Sequence, residues 1–223
     1  MTTLVSIKLT CPVCRTAFDS RSMASGVTIG QDTDFRKHYA GYDPLAFQVH
    51  VCPQCRFAAF EGDFEEVQDL VKEHVLAGDF LEAVPAARQE GELPGSTKYM
   101  LAAACYRHDS RATFVRLADL NLRASWCART ESRRQREKQC QIESIVEFEK
   151  ALEGADPLGD QRTTVLYLLG ELYRRVGRHE FAITMFDRVL EELGPETDTQ
   201  FVDLVRRQRT AAEGHRSENM VIE

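Results

Sequence analysis

Apolar and polar positions alternate at the start of this chain and take up a helical period further on. Residues 3–10 (Thr-Leu-Val-Ser-Ile-Lys-Leu-Thr) alternate in part and predict a strand. Phe18 follows as a core anchor. Residues 20–31 are rich in Ser and Gly and predict a loop with a short strand near Val27, Thr28 and Ile29. Tyr42-Asp43-Pro44 predicts a turn. Residues 45–51 are β-like, with Phe47, Val49 and Val51 on one face. From residue 60 to 75 the apolar positions Phe64, Val67, Leu70, Val71 and Val75 recur at helical spacing. Gly78-Asp79 breaks that pattern, and a short helix at 80–84 stops before Pro85. Residues 86–96, with Gly91, Pro94 and Gly95, predict a linker. Helices are expected at 97–108, 111–129 and 139–153, then a loop at 154–160, a helical hairpin at 166–186 and a last helix at 201–212. Residues 214–223 predict a frayed tail. The fold class is α+β: a small β-rich front and an all-α rear, divided at 1–60, 61–95, 96–213 and 214–223.

The chemistry sits in the front. Cys11-Pro12-Val13-Cys14 is echoed by Cys52-Pro53-Gln54-Cys55. A Cys-x-x-Cys turn puts two sulfurs on one side of a tight bend, and Pro after the first Cys pre-sets the turn. One such pair also fits a redox turn. Two pairs with the same Pro placement predict a single tetrahedral zinc site, closed by four thiolates and without an open position for substrate. Iron is the rival occupant of four thiolates, and nothing in the chain suggests electron transfer. The gap between the pairs is longer than in a compact ribbon, so the intervening residues carry structure of their own.

Composition narrows the field. The chain has 223 residues, 43% hydrophobic and 28% charged, with net charge −7. That balance argues against wholesale nucleic-acid binding. Residues 61–98 hold ten acidic and three basic side chains, so the acidity is concentrated between two nearly balanced regions. No apolar run approaches the ~20 residues of a membrane helix. The N-terminus lacks a basic region followed by an apolar run. Together with seven cysteines, four of them paired as metal thiolates, this predicts a reducing, cytoplasmic setting with no membrane partner. Cys105 and Cys127 are expected as small core residues.

Several polar residues invite other readings. Arg15 and Arg56 follow the knuckles, where the backbone conformation favours Gly. Asp32 and Asp34 flank Thr33 and are expected to cap a turn or to support the metal site from behind its ligands. His38 and His50 are not needed as ligands once four cysteines fill the shell. The run Arg133-Arg134-Gln135-Arg136 suits a solvated helix face laced with Glu131 and Glu137, or a basic patch for RNA.

Taken together, Cys11-Pro12-x-Cys14, Asp32-Thr33-Asp34-Phe35, Tyr39, Pro44, Val51-Cys52-Pro53-x-Cys55 and Phe57-Ala58-Ala59 resemble an uncharacterised bacterial family, domain of unknown function 2225. The chain departs from that family at Arg15 and Arg56, where Gly is usual, and at Gln31, where Arg is frequent. The resemblance implies a zinc-ribbon-like front and a helical rear, and no known activity.

In the rear, Leu166-x-x-Leu169-Gly170-x-x-Tyr173, Gly177, Ala182-x-x-x-Phe186 and Pro195 resemble the tetratricopeptide pattern. Gly170 and Ala182 are small where two helices touch, and Tyr173 and Phe186 fill the groove around them. One repeat cannot bury its face alone, so neighbouring helices must stack on it. By that resemblance Tyr167, Glu171, Arg174 and Arg175 face the inner, protein-binding side, where the arginines would hold an acidic peptide. Tyr167 and Glu171 do not match the Lys/Asn carboxylate clamp of chaperone-tail binders. No nucleophile elbow, P-loop, dinucleotide fingerprint or open metal triad is present in the sequence. The expected function is a non-enzymatic, zinc-binding adaptor that meets protein partners through a helical-repeat surface. A ribbon that binds RNA through Phe35, Tyr39 and Tyr42 is the alternative.

Overall fold

The structure is a computed structural model that describes residues 3–88, 91–155, 157–194 and 198–222. Pro195, part of the helical-repeat pattern, lies outside the described residues. Three antiparallel two-stranded ribbons come first. They are β1 (Thr3–Thr10) with β2 (Ala17–Ser25), β3 (Thr28–Gln31) with β4 (Lys37–Tyr39), and β5 (Val49–Val51) with β6 (Ala58–Phe60). Among the described residues eight α-helices follow: α1 (Asp69–Ala77), α2 (Phe80–Ala83), α3 (Gly95–Tyr106), α4 (Phe114–Thr130), α5 (Arg134–Lys150), α6 (Arg162–Val176), α7 (His179–Glu192) and α8 (Thr199–Glu213). The chain is α+β, with the strands gathered at the front and the helices behind.

Each Cys-Pro-x-Cys turn forms the tip of a hairpin. Thr10 pairs with Ala17 at the base of the first, and Val51 with Ala58 at the base of the second. β2 was not legible as a strand because Ala-Phe-Asp-Ser-Arg-Ser has no wide apolar face. Its register is set by β1 across the knuckle, with Lys8 opposite Asp19.

Helix α3 joins the two halves. Tyr99, Leu101, Ala102, Ala103 and Cys105 are all buried on it. Its Tyr99 hydroxyl donates to Gln48 Oε1 at 2.9 Å, and Lys98 Nζ donates to the Ala46 carbonyl at 2.9 Å. The Phe60 ring of β6 meets Tyr99 edge-on at 6.3 Å. One continuous apolar core therefore runs from Cys11 through α3 to Ala212, across the divisions expected at 60/61 and 95/96.

The helix expected from residue 60 starts only at Asp69. Glu61–Phe64 is a 3-10 turn that drives Phe64 under the cysteine module, 5.2 Å from the Phe57 ring and 5.8 Å from Phe18. Leu70 is consequently 62% exposed. Behind α3, α4 and α5 pack antiparallel, and Ser144 Oγ donates to the Ala118 carbonyl at 2.9 Å. Helices α6 and α7 form a hairpin closed by Gly177 at φ +86°, a left-handed turn that Gly adopts without cost. The backbone of Gly170 lies against Phe186 so closely that a Cβ would stand 2.8 Å from its ring.

Residues 214–222 are not a frayed tail. They turn back along α6 and pair with the end of β3 and the residues after it: Thr33 N donates to the Met220 carbonyl at 2.9 Å, and Ile222 N to the Gln31 carbonyl at 2.8 Å. Composition hid this, because the ordering contacts lie some 190 residues upstream. Among the described residues, no helix is long and apolar enough to cross a membrane.

Candidate metal centre and the docking segment

The two knuckles are built alike. In the first, Cys11 N donates to the Thr16 carbonyl at 2.9 Å and Arg15 N to the Cys11 carbonyl at 3.0 Å. In the second, Cys52 N donates to Phe57 at 2.9 Å and Arg56 N to Cys52 at 3.0 Å. Arg15 and Arg56 both sit at φ +63°, the left-handed region, so each knuckle keeps the turn at some steric cost without Gly.

The four sulfurs of Cys11, Cys14, Cys52 and Cys55 lie within 4.8 Å of one another. Cys11 Sγ is 3.5 Å from Cys55 Sγ, and Cys14 Sγ is 3.5 Å from Cys52 Sγ. A tetrahedron with metal–sulfur bonds near 2.3 Å has edges of about 3.8 Å, so the cluster is the right size for one ion. The donor set also suits a cation. Backbone N–H groups of Val13 and Cys14 point at the Cys11 sulfur, and those of Gln54 and Cys55 at the Cys52 sulfur. These amides favour thiolate over thiol. Without an ion the crowded sulfurs compete, one holding the thiolate and its neighbours the protons. Hydrogen bonds from Cys11 and Cys55 pull Cys52 well down, while its bond with Cys52 and burial push Cys11 up. A divalent cation removes that conflict by letting all four ionise. Four close cysteines could hold a metal ion; the sulfur geometry alone does not choose which.

The histidines lie elsewhere. His50 is buried beside the Phe64 ring, with Nδ1 2.8 Å from Ser20 Oγ, and burial lowers its pKa. His38 Nε2 is 2.7 Å from Asp32 Oδ1. Among the described residues, the metal-sized cluster contains only the four cysteines. Cys105, Cys127 and Cys140 are buried, and burial pushes Cys105 and Cys140 up to about 12. They are packing residues rather than reactive thiols.

Asp32 and Asp34 do more than cap a turn. Both are fully buried. Asp34 Oδ1 does meet Arg36 N, though at 3.4 Å. The main partners come from the helices. Arg129, at the end of α4, donates from Nη1 to Asp32 at 2.6 Å and from Nη2 to Asp34. Arg175 of α6 reaches Asp34 at 3.2 Å. Glu137 of α5 accepts from both arginines, at 2.8 Å each. Burial opposes the charged form of Asp34, but Arg129 and Arg175 outweigh it and hold the carboxyl below its ordinary range. The carboxylates thus support the front half by tying it to the helices, not by touching the sulfurs.

The residues expected on an open inner face, Tyr167, Glu171, Arg174 and Arg175, lie under this same segment. Tyr167, Glu171 and Arg174 are fully buried, and the Arg175 side chain is 6% exposed. Thr33 Oγ1 donates to Glu171 at 2.6 Å, the Tyr167 hydroxyl donates to the Thr33 carbonyl at 2.8 Å, and Phe35 stacks on the Tyr167 ring at 5.0 Å. Phe35 adopts φ +67°, a conformation held by that packing. Arg174 pairs with Glu171 at 2.7 Å and also reaches the tail. The acidic segment on Arg175 is the chain's own Asp32-Thr33-Asp34-Phe35, through Asp34, while Arg174 holds Glu171 and the tail.

Sequence reasoning missed Arg129 and Glu137 as a pair, having assigned Glu137 to a charged helix surface. Arg129 directly follows the apolar stretch Trp126-Cys127-Ala128, and that inward continuation of the stripe was the available signal. Arg133 and Arg134 are exposed, whereas Arg136 donates to Thr97 Oγ1 at 3.0 Å, so the run is no continuous basic patch.

Fold and site together define a helical-array protein that carries a two-knuckle, four-cysteine candidate metal centre at its front. The chain belongs to the family described as uncharacterised protein conserved in bacteria (DUF2225), whose model matches residues 4–212. Neither curated proteins nor solved structures give a match.

Proposed function

We propose that this protein is a non-enzymatic, zinc-stabilised adaptor that binds partner proteins through its helical array. The observation that carries the reading is the four-sulfur cluster. When all four donors come from the protein, a bound ion keeps no position for substrate and serves the fold. Zinc is favoured over iron because no redox partner site accompanies the cluster in the chain's motifs. The other dense polar cluster is also ill suited to catalysis: Asp32, Asp34, Glu137 and Glu171 are committed to Arg129, Arg174 and Arg175. A carboxylate held charged by two guanidiniums is a poor general base. The α6–α7 hairpin, with Gly170 against Phe186, supports a tetratricopeptide-like array, a scaffold used for protein contacts. Four thiolates gathered for a metal, with Cys105, Cys127 and Cys140 buried as thiols, favour a reducing compartment such as the cytoplasm.

The test has two parts. Elemental analysis of the purified protein is expected to find one zinc per chain and no visible iron–thiolate absorbance; iron at that stoichiometry removes zinc from the proposal. Native mass spectrometry after gentle isolation is expected to find the chain in a stoichiometric complex with a protein. Recovery with RNA instead, lost as salt is raised, would favour the ribbon alternative.

A further inference from the structure

We infer that the edge formed by Gln31–Thr33 beside α6 is a binding site for an extended protein segment, and that residues 216–222 occupy it as a releasable internal strap. This deepens the adaptor reading and rests on it. The strap is held in the manner of an added strand: Thr33 N donates to Met220, Ile222 N donates to Gln31, and Asp32 bridges Val221 in antiparallel register. Main-chain pairing of this kind accepts any extended segment and leaves selectivity to side chains.

Arg174 reinforces that tolerance. Its guanidinium is buried and reads the strap's carbonyls rather than its side chains: Nη1 donates to Arg216 O at 2.7 Å and to Glu218 O at 3.1 Å, and Nη2 to Glu218 O at 3.1 Å. Two strap side chains are read directly: Ser217 Oγ lies 3.2 Å from His179 Nε2, and Asn219 meets two arginines. Asn219 Oδ1 accepts from Arg129 Nη1 at 3.1 Å and from Arg175 Nη1. Both donors are cationic, so an aspartate at that place would be received at least as well. Met220 and Ile222 are half-buried, whereas Arg216, Glu218, Asn219 and Val221 are exposed. The receiving side is the opposite: Asp32, Thr33, Glu171 and Arg174 are buried. A well-built site thus holds a lightly anchored occupant. The family match covers the site and stops at residue 212, before the strap. The partner chemistry follows: an extended segment with Asn or Asp at the place of Asn219 and apolar residues one and three positions later.

The test uses the full-length chain. Ile222→Pro removes the N–H given to Gln31 and weakens the strap while sparing the buried site. The probe is a fluorescein-labelled peptide of residues 215–222, followed by anisotropy. A tethered strap competes at an effective concentration of about millimolar. The Ile222→Pro protein is therefore expected to bind the peptide at least tenfold more tightly than wild type. An Asn219→Leu peptide is expected to bind it at least tenfold more weakly than the parent peptide. Hydrogen exchange on the unmodified protein gives an independent reading: the amides of Ile222 and Thr33 should open well before those of Leu169 and Leu172 in α6. No peptide binding by a folded Ile222→Pro protein, equal binding by wild type, or strap amides as protected as α6 would each overturn the inference. A stoichiometric protein complex found despite that result would leave the adaptor reading standing on another surface.

Discussion

Arg129 Nη1 donates to Asp32 Oδ2 at 2.6 Å, joining residues 97 positions apart in the chain. The bond links the loop between the two cysteine hairpins to the end of α4. The same guanidinium turns its other nitrogens to Asp34 and to Glu137. Front and rear are therefore locked by charges that neither half could bury alone.

Removing Arg129 leaves Asp32 and Asp34 buried with too little compensation. Arg129→Ala is expected to destabilise the protein by about 3–5 kcal/mol, the range for breaking one side of a buried ion pair. Arg129→Lys should recover only part of this, because a single ammonium cannot replace a planar fork that serves three carboxylates. Urea unfolding at pH 7 checks both. An Arg129→Ala midpoint equal to wild type would mean the network contributes nothing net.

Acid should weaken the fold in two windows. The folded pKa of Asp34 is lowered: burial opposes this, and Arg129 and Arg175 overcome it. Its stabilisation is complete above the unfolded carboxylate value of about 3.9 and lost as pH falls through the lower folded value. His74 is also lowered, by burial and then by His108, whose ring stacks on it at 3.6 Å, with Asp79 opposing. The unfolded imidazole takes its proton first, so stability falls as pH drops below about 6.5. Urea midpoints between pH 8 and pH 3 should trace both declines. Asp34→Asn should flatten the lower one, and His74→Gln part of the upper one, with His50, which burial also lowers, contributing to the rest.

Metal removal should reach beyond the front. Cys52→Ser, or a strong chelator, is expected to cost several kcal/mol, because ion binding is part of the folding energy of so small a ribbon set. The core is continuous from Cys11 to α3, so hydrogen exchange should rise in α3 as well as in residues 3–60. Change confined to the hairpins would show that α3 holds its packing without the ion.

Gly170→Ala tests the α6–α7 contact. Its Cβ would stand 2.8 Å from the Phe186 ring, whose neighbours leave it fully buried. A cost of about 1–3 kcal/mol is expected, as for overpacking generally. Phe186→Leu should relieve part of it, and a double-mutant cycle by thermal or urea unfolding measures the coupling.

Legibility followed the range of each interaction. The Cys-Pro-x-Cys turns and the Gly170–Phe186 hairpin were readable because a tight bend and a helix face are set by neighbours a few positions away. β2 escaped because its partner, not its own pattern, makes it a strand. The helix start at Asp69 was missed because Phe64 turns into the cysteine module instead of continuing the α1 stripe. Asp32 and Asp34 were recognised as notable, yet capping and metal support are local roles, and their main partners sit on α4 and α6.

By itself, the order of residues was enough to mark the four candidate ligands, the α+β division and the helical hairpin, since each leaves a spacing that short-range geometry requires. Only the folded chain decided that Tyr167, Glu171, Arg174 and Arg175 face an internal segment instead of open solvent. It also decided that the tail returns to pair with Gln31 and Thr33. A buried charge needs a partner of opposite sign in space, and that partner can come from any distance along the chain, so it leaves no periodic trace.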